Sequence, residues 1–367
     1  MRRHALILCA LVACSDEESE EPECPAAPSG EKLVVTADWL NGSLTLFGFD
    51  RLVDPLCSAE QAMVGTIDVS AYPPGPLEIE ISADGTRALV SVGAGFLPSF
   101  GIGGDEVMPG GTLLVVDLVG RVVLREIPHD KAPMGMALHP DGRTAYVAYY
   151  GTVGAPDTML RVVDMELGAI TAAIELGGAP EQVSLSPDAM VGLVNVDGTD
   201  GVRTFQTSDP LTTLSPVVLT GADPSGSVFF AERRAVVANS VALSLSFADV
   251  TSPVAPVVDF TLPMSGLAIP YGITRLPETS TLLVTTQSDV AVLAVVDAEA
   301  EAPVISHEIR LAGGSFPLVA AVGSQSRFAF VAHPSDRVLS IVDLEKREAR
   351  GVSWLSRSGP TYVAVQP

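Results

Sequence analysis

The chain alternates short apolar runs with polar turns, and one phrase of that pattern returns seven times. Runs of six or seven residues, rich in Val, Ala, Leu and Thr, occur at residues 32–38 (KLVVTAD), 88–93 (ALVSVG), 145–150 (AYVAYY), 192–197 (GLVNVD), 235–240 (AVVANS), 282–287 (LLVTTQ) and 328–333 (FAFVAH). Aliphatic and β-branched runs of this length, bounded by turn residues, predict strands. Turn signals precede several of them: SADG at 82–85, HPDG at 139–142 and SPDA at 186–189. A second strand follows each run. Six of these end in an acid, at Asp50, Asp117, Asp164, Asp249, Asp297 and Asp343, while the fourth unit has VRTFQT at 202–207 instead. A third strand comes next, as in AITAAIEL at 169–176.

One proline then stands just before the next apolar run. These are Pro76, Pro133, Pro180, Pro224, Pro270, Pro317 and Pro360, spaced 43 to 57 residues apart. Proline has no N–H and a fixed φ, so a sheet tolerates it mainly at a strand's first residue or on an edge. A proline once per unit marks the step from one small sheet to the next. Seven units of about 47 residues, with four strands each, predict an all-β, seven-bladed β-propeller over residues 33–367. Runs apolar at nearly every position suit strands buried on both faces between blades. The fold begins on the second strand of a blade and ends on PTYVAVQP (360–367), which matches the first strand of the other units. The C-terminal strand is therefore expected to close the N-terminal blade and remove two free sheet edges.

The unit at 133–147 reads Pro-x-x-apolar-x-apolar-His-Pro-Asp-Gly-x-x-x-Tyr-Val. Together with the VVD strand ends, it resembles the bacterial propellers of the YVTN or surface-layer type. The resemblance covers residues 33–367. It implies the propeller fold and a broad range of roles, since the family includes surface proteins, periplasmic binders and, more distantly, sugar-lactone hydrolases. The Asn that follows YVT in the family is mostly missing here; AVVANS comes nearest.

The first residues read as an address. MRRHALILCALVAC carries Arg2 and Arg3 before an apolar run of nine, Ala5–Ala13. A bilayer span needs about 20 apolar residues, so residues 1–13 are expected to be a signal peptide. Leu11-Val12-Ala13-Cys14 resembles the lipobox of bacterial lipoproteins, which implies a lipidated Cys14. Ser15 takes the place of the inner-membrane retention Asp, which points to the outer membrane. Residues 14–32, acidic and proline-rich, are expected to form a disordered tether. Cys24 and Cys57 remain as one pair in an oxidising compartment and are expected to form a disulfide.

A net charge of −23 and a pI near 4.4 argue against nucleic-acid partners and against adsorption to anionic lipid. Membrane contact is expected only through the lipid. Catalytic patterns are missing: no Gly-x-Ser-x-Gly, no phosphate-binding loop with Gly-Lys, no Cys-x-x-Cys, and five histidines without metal-ligand spacing. No cofactor is expected. Asp197 and Asp200, in VDGTDG, form a weak calcium candidate that reads better as a turn.

The connection Gly93–Gly111 is far longer than its counterparts in later units, and the 150–158 connection is also long. Long loops on a rigid scaffold commonly carry binding. This insertion is expected to cap the channel mouth with Phe96, Phe100, Asp105 and Glu106. The residues opening the inner strands should line that mouth: Met134, Glu181, Gln182, Ser225, Tyr271, Phe316 and Tyr362. The expected function is a monomeric, lipid-anchored module of the cell envelope that binds or scaffolds an envelope protein, a peptide or a glycan. The alternative is a propeller hydrolase of the sugar-lactonase kind, in the periplasm or at the cell surface.

Overall fold

Val34 and Val35 point to opposite faces of one strand, and both are fully buried. Val34 packs with Phe330 and Ile341, while Val35 packs with Ile79, Val90 and Leu114. A strand with two buried faces lies between two sheets, and this recurs around the whole molecule. The computed structural model describes residues 23–95, 97, 110–152, 154–264, 266, 269–288, 290–314, 316–323, 327–353 and 359–367. Among them are seven four-stranded antiparallel sheets, the blades of a β-propeller. Seven apolar clusters each join one blade to the next.

Blade 2 shows the pattern. Its strands are Pro76–Ile81 (inner), Arg87–Val92, Gly111–Asp117 and Val122–His129 (outer), hydrogen-bonded in chain order. The inner strands of blades 3 to 7 are Met136–Leu138, Ala179–Leu185, Pro224–Ala231, Ile269–Arg275 and Ala320–Val322. Blade 1 takes its inner strand, Pro360–Val365, from the C-terminus, and the rest from Leu33–Asp38, Ser43–Gly48 and Met63–Asp68. Val34 pairs with Val365, Val35 with Ala364 and Ala37 with Tyr362. The Thr361 hydroxyl lies 3.0 Å from the carbonyl oxygens of both Ala37 and Pro76, so it also ties blade 1 to blade 2. The ring is closed by its own tail.

The prolines stand at the inner-strand starts with small differences. Pro76, Pro224 and Pro360 are first residues, Pro180 and Pro270 are second, and Pro133 and Pro317 come before their strands. The acids at the strand ends serve turns. Asp117 Oδ1 accepts from the N–H groups of Val119 and Gly120, and Asp164, Asp297 and Asp343 repeat this. Asp50 is the exception, because it lies inside a short helix, Phe49–Val53, rather than at a strand end. Blade 4 is also shortened: its outer strand is only Val218–Leu219.

Residues 23–32 hold no regular structure but contact the ring. Cys24 is bonded to Cys57, with the Cα atoms 4.7 Å apart. Glu31 is buried against Arg51, accepting from its backbone N–H at 3.0 Å and its Nε at 3.1 Å. Cys14 and the leader lie outside the described residues, as do Phe96, Phe100, Asp105 and Glu106 of the insertion.

Candidate functional site

The inner strands of blades 1, 2, 4, 5 and 6 bulge just after their prolines. Pro76 faces Val92 and Glu78 faces Ser91, which leaves Leu77 extra. In blades 4 and 6 two residues, Glu181–Gln182 and Tyr271–Gly272, stand against one. Bulges re-aim side chains, and here they turn them toward the axis. Hydroxyls on the neighbouring strand take the freed N–H groups: Ser91 Oγ accepts from Glu78 N at 3.1 Å, and Thr285 Oγ1 from Gly272 N at 2.9 Å.

The axial channel is therefore built in rings. The residue after each proline forms one ring, in which Leu77, Met134, Glu181, Ser225, Tyr271 and Leu318 line the narrow half of the channel. The residue two after forms a waist. There Glu78, Gln182, Val319 and Tyr362 carry bulk, while Gly226 and Gly272 carry none. A Cβ at Gly226 would lie 2.3 Å from the Tyr271 carbonyl oxygen, and one at Gly272 2.3 Å from that of Leu318. Only glycine lets these inner strands approach so closely. The residue four after faces the wide half, where Glu80, Ser184 and Thr274 are the polar members.

The narrow half opens on the face from which the Gly93–Gly111 connection leaves. Trp39, Leu77, Leu97 and Met134 form a buried cluster there, with Tyr150 against it, and Trp39 Nε1 donates to Gly93 O at 3.1 Å. Among the described residues of the insertion, Leu97 seats on the mouth, and about 40 Å³ of free volume remains beneath. The wide half opens on the opposite face and holds about 490 Å³. The two halves share Gln182, Ser227, Ile273, Val319 and Tyr362, so they are one passage with a constriction.

Charge in this passage is one-sided. Tyr271 donates its hydroxyl to Glu181 Oε1 at 2.8 Å. Burial pushes the Glu181 carboxyl well above its usual range and the Tyr271 hydroxyl likewise. Glu78 is 8% exposed, and its Oε2 is buried without a hydrogen-bond partner. Desolvation, with the nearby Glu80 charge second, raises its pKa to about 8. Desolvation raises Glu80 to about 7. Asp223 is raised by burial and then by Asp197 and Asp200. Asp197 and Asp200 thus lie close enough to Asp223 to raise it, and among the described residues no three His, Cys, Asp or Glu are placed to hold a metal ion.

Of the seven residues expected at the mouth, Met134, Glu181, Gln182, Ser225, Tyr271 and Tyr362 line the narrow half together. Phe316 does not line the passage. It precedes Pro317 by one residue, has φ +52°, and lies before the strand begins, with its ring 6.5 Å from Tyr271. Two carboxyls escaped the sequence reading, Glu78 and Glu80. Their signal was register, since they stand two and four residues after Pro76, where the other units also face the axis. The room, too, lies elsewhere than expected, because packing has filled the proline-side mouth and left the larger space at the other.

No protein-family model and no curated protein matches the chain. Solved structures do match. A functionally unknown protein from Desulfotomaculum acetoxidans DSM 771 gives a TM-score of 0.71 at 14% identity, over 91% of this chain and 98% of that one. The periplasmic gluconolactonase PpgL of Pseudomonas aeruginosa gives 0.69 at 17%, over 92% and 99%. The β-propeller domain of Cps50 (Swd1) from Myceliophteria thermophila gives 0.58 at 13%, over 76% and 86%. At these identities the likeness shows the fold alone.

Proposed function

We propose that this chain is a binding module of the cell envelope, held by a lipid on Cys14, that receives one end of a peptide or glycan in its axial channel. The observation that carries the reading is the wide chamber of about 490 Å³, whose walls mix apolar side chains with polar ones such as Glu80, Ser184 and Thr274. Pockets of that size and make-up are where rigid folds take ligands. The anchor rests on the leader and the LVAC sequence. Cys24 is fixed to the ring through Cys57, so the stretch from Cys14 to Cys24 can span at most about 36 Å. The protein would work close to its membrane, as a monomer, without calcium or another cofactor.

The test of the channel is equilibrium dialysis of envelope peptide and glycan fractions against the purified chain. Ser184 Oγ lies 3.3 Å from Ser227 Oγ inside the chamber, and Ser184→Phe would obstruct its inner end. Retention by the parent and loss in Ser184→Phe is the expected result; equal retention removes the channel as the site. For the anchor, Cys14→Ser should release the protein from membranes and abolish labelling by radioactive palmitate.

A second reading is a lactone hydrolase. It draws on the Glu181–Tyr271 pair, a carboxyl and a phenol joined in a desolvated mouth where a proton could be exchanged. Turnover of a panel of sugar lactones that Glu181→Gln abolishes would establish it; no turnover by the folded parent ends it.

A further inference from the structure

We propose that the channel takes an organic ammonium group, a primary amine on an apolar stem, which enters by the wide chamber and seats between Glu80 and Glu78. The proposal rests on the channel being the binding site and names the chemistry that the site selects.

Glu78 and Glu80 are two residues apart on one strand, so they share a face and stand about 7 Å apart along it. An ammonium with three donors can reach a carboxylate on either side across that gap. Glu78 supplies the independent sign of a missing partner: it is more than nine-tenths buried, it lines the passage, and its Oε2 meets no donor. Such an atom destabilises a finished fold, and buried polar groups are otherwise almost always satisfied. A ligand donor completes it.

Among the described residues no Lys or Arg lines either half of the passage. The basic side chain found along it there is His139 at the outer rim, with its Nδ1 3.2 Å from Asp141 Oδ2. Glu181, held by Tyr271, adds a third carboxyl beyond the waist, where Gln182 and Tyr362 are uncharged donors and acceptors. Three carboxyls face one passage with no internal cation, which suits a ligand that brings the positive charge. The walls around Glu80 suit its stem: Ile81, Met136, Leu138, Leu185, Val228 and Val322 are all apolar. The net charge of −23 draws cations toward the molecule.

Burial holds both carboxyls in the titrating range near neutrality, at about 8 for Glu78 and about 7 for Glu80. A bound ammonium favours their charged forms, so binding at pH 7 must release protons.

The experiment is calorimetric titration of the full chain with hexylamine, hexanol, hexanoate and the peptide acetyl-Gly-Lys-Gly-amide. Parallel runs use Glu78→Gln, Glu80→Gln and Ser184→Phe, all checked by melting curves. Hexylamine should bind at least about tenfold more tightly than hexanol, with proton release seen on comparing two buffers. Glu80→Gln, at a half-buried position, should lose that preference without loss of fold, and Glu78→Gln should lower the proton release to the share that Glu80 supplies. Binding of the peptide as well identifies a lysine side chain as the source; binding of hexylamine alone identifies a free amine. Equal binding of hexylamine and hexanol, lost together in Ser184→Phe, would overturn the ammonium and keep the channel. No binding of hexylamine at millimolar concentration, or binding untouched by both Gln variants, overturns the proposal.

Discussion

The Tyr271 hydroxyl donates to Glu181 Oε1 at 2.8 Å, and that bond joins blade 6 to blade 4 across the inner strand of blade 5. Both residues directly follow a proline, and both are turned inward by a bulge. The bond acts to hold the Glu181 carboxyl down against the larger effect of burial. Tyr271→Phe should therefore destabilise the fold by about 1–3 kcal/mol, because it leaves a buried carboxyl short of a donor. Denaturant unfolding measures this, and an unchanged midpoint would show that the bond carries no weight.

Acidity should stabilise this protein down to about pH 4. Desolvation raises Asp38 to about 7, Glu78 to about 8 and Glu80 to about 7, from ordinary carboxylate values of 3.8 and 4.5. Each folded group keeps a proton that the unfolded chain has already lost, so stability falls as pH climbs from about 4 to about 8. Other acids act in the opposite sense. Hydrogen bonds from Ser82 and Thr86 hold Asp84 at about 2, and Arg143 holds Asp164 low. Their contribution is present above the unfolded pKa and is lost as pH falls through the folded one. The melting temperature should peak near pH 4–5 and decline toward pH 8. Glu78→Gln and Asp38→Asn should each flatten that decline by up to about one proton. A melting temperature that rises from pH 5 to 8 would contradict this.

Ring closure rests on a single strand. Removing residues 361–367 deletes the partner of Leu33–Asp38 and exposes Val34 and Val35. The buried Tyr362, Val363 and Ala364 leave with it, so the loss should exceed about 5 kcal/mol from side-chain burial alone. Thermal melting of the truncated chain checks this, and a melt like the parent's would mean that the ring does not depend on its tail. The milder Thr361→Val, which removes the hydroxyl shared by Ala37 O and Pro76 O, should cost about 1 kcal/mol.

Leu97 is fully buried against Trp39, Leu77 and Met134. Leu97→Ala should cost about 2–5 kcal/mol if the mouth cannot collapse onto the gap. It should also shift the fluorescence of Trp39 toward that of a wetter indole. Emission and stability equal to the parent's would show that the plug is dispensable.

Much of the fold was legible because a propeller writes its period into the chain. Seven prolines, seven apolar runs and five of the six terminal acids each have a local cause: a strand start, a doubly buried strand, a tight turn. Asp50 broke the pattern because helix Phe49–Val53 interrupts blade 1 after Ser43–Gly48. The site was legible in part. Met134, Glu181, Gln182, Ser225, Tyr271 and Tyr362 follow from topology alone. Glu78 and Glu80 were hidden inside PLEIEI, where alternation with Leu77, Ile79 and Ile81 reads as an ordinary half-exposed strand.

The sequence by itself determined the number of blades, their boundaries and the closing strand, because strand, turn and bulge respond to residues within a few positions. Only the tertiary structure decided what the axis contains. Which side chains from seven distant strands meet there depends on bulges, and on glycines such as Gly226 and Gly272 that set how closely inner strands approach. That closeness brings three carboxyls into one desolvated passage, with no Lys or Arg among the described residues of its walls, and no local stretch of the chain encodes it.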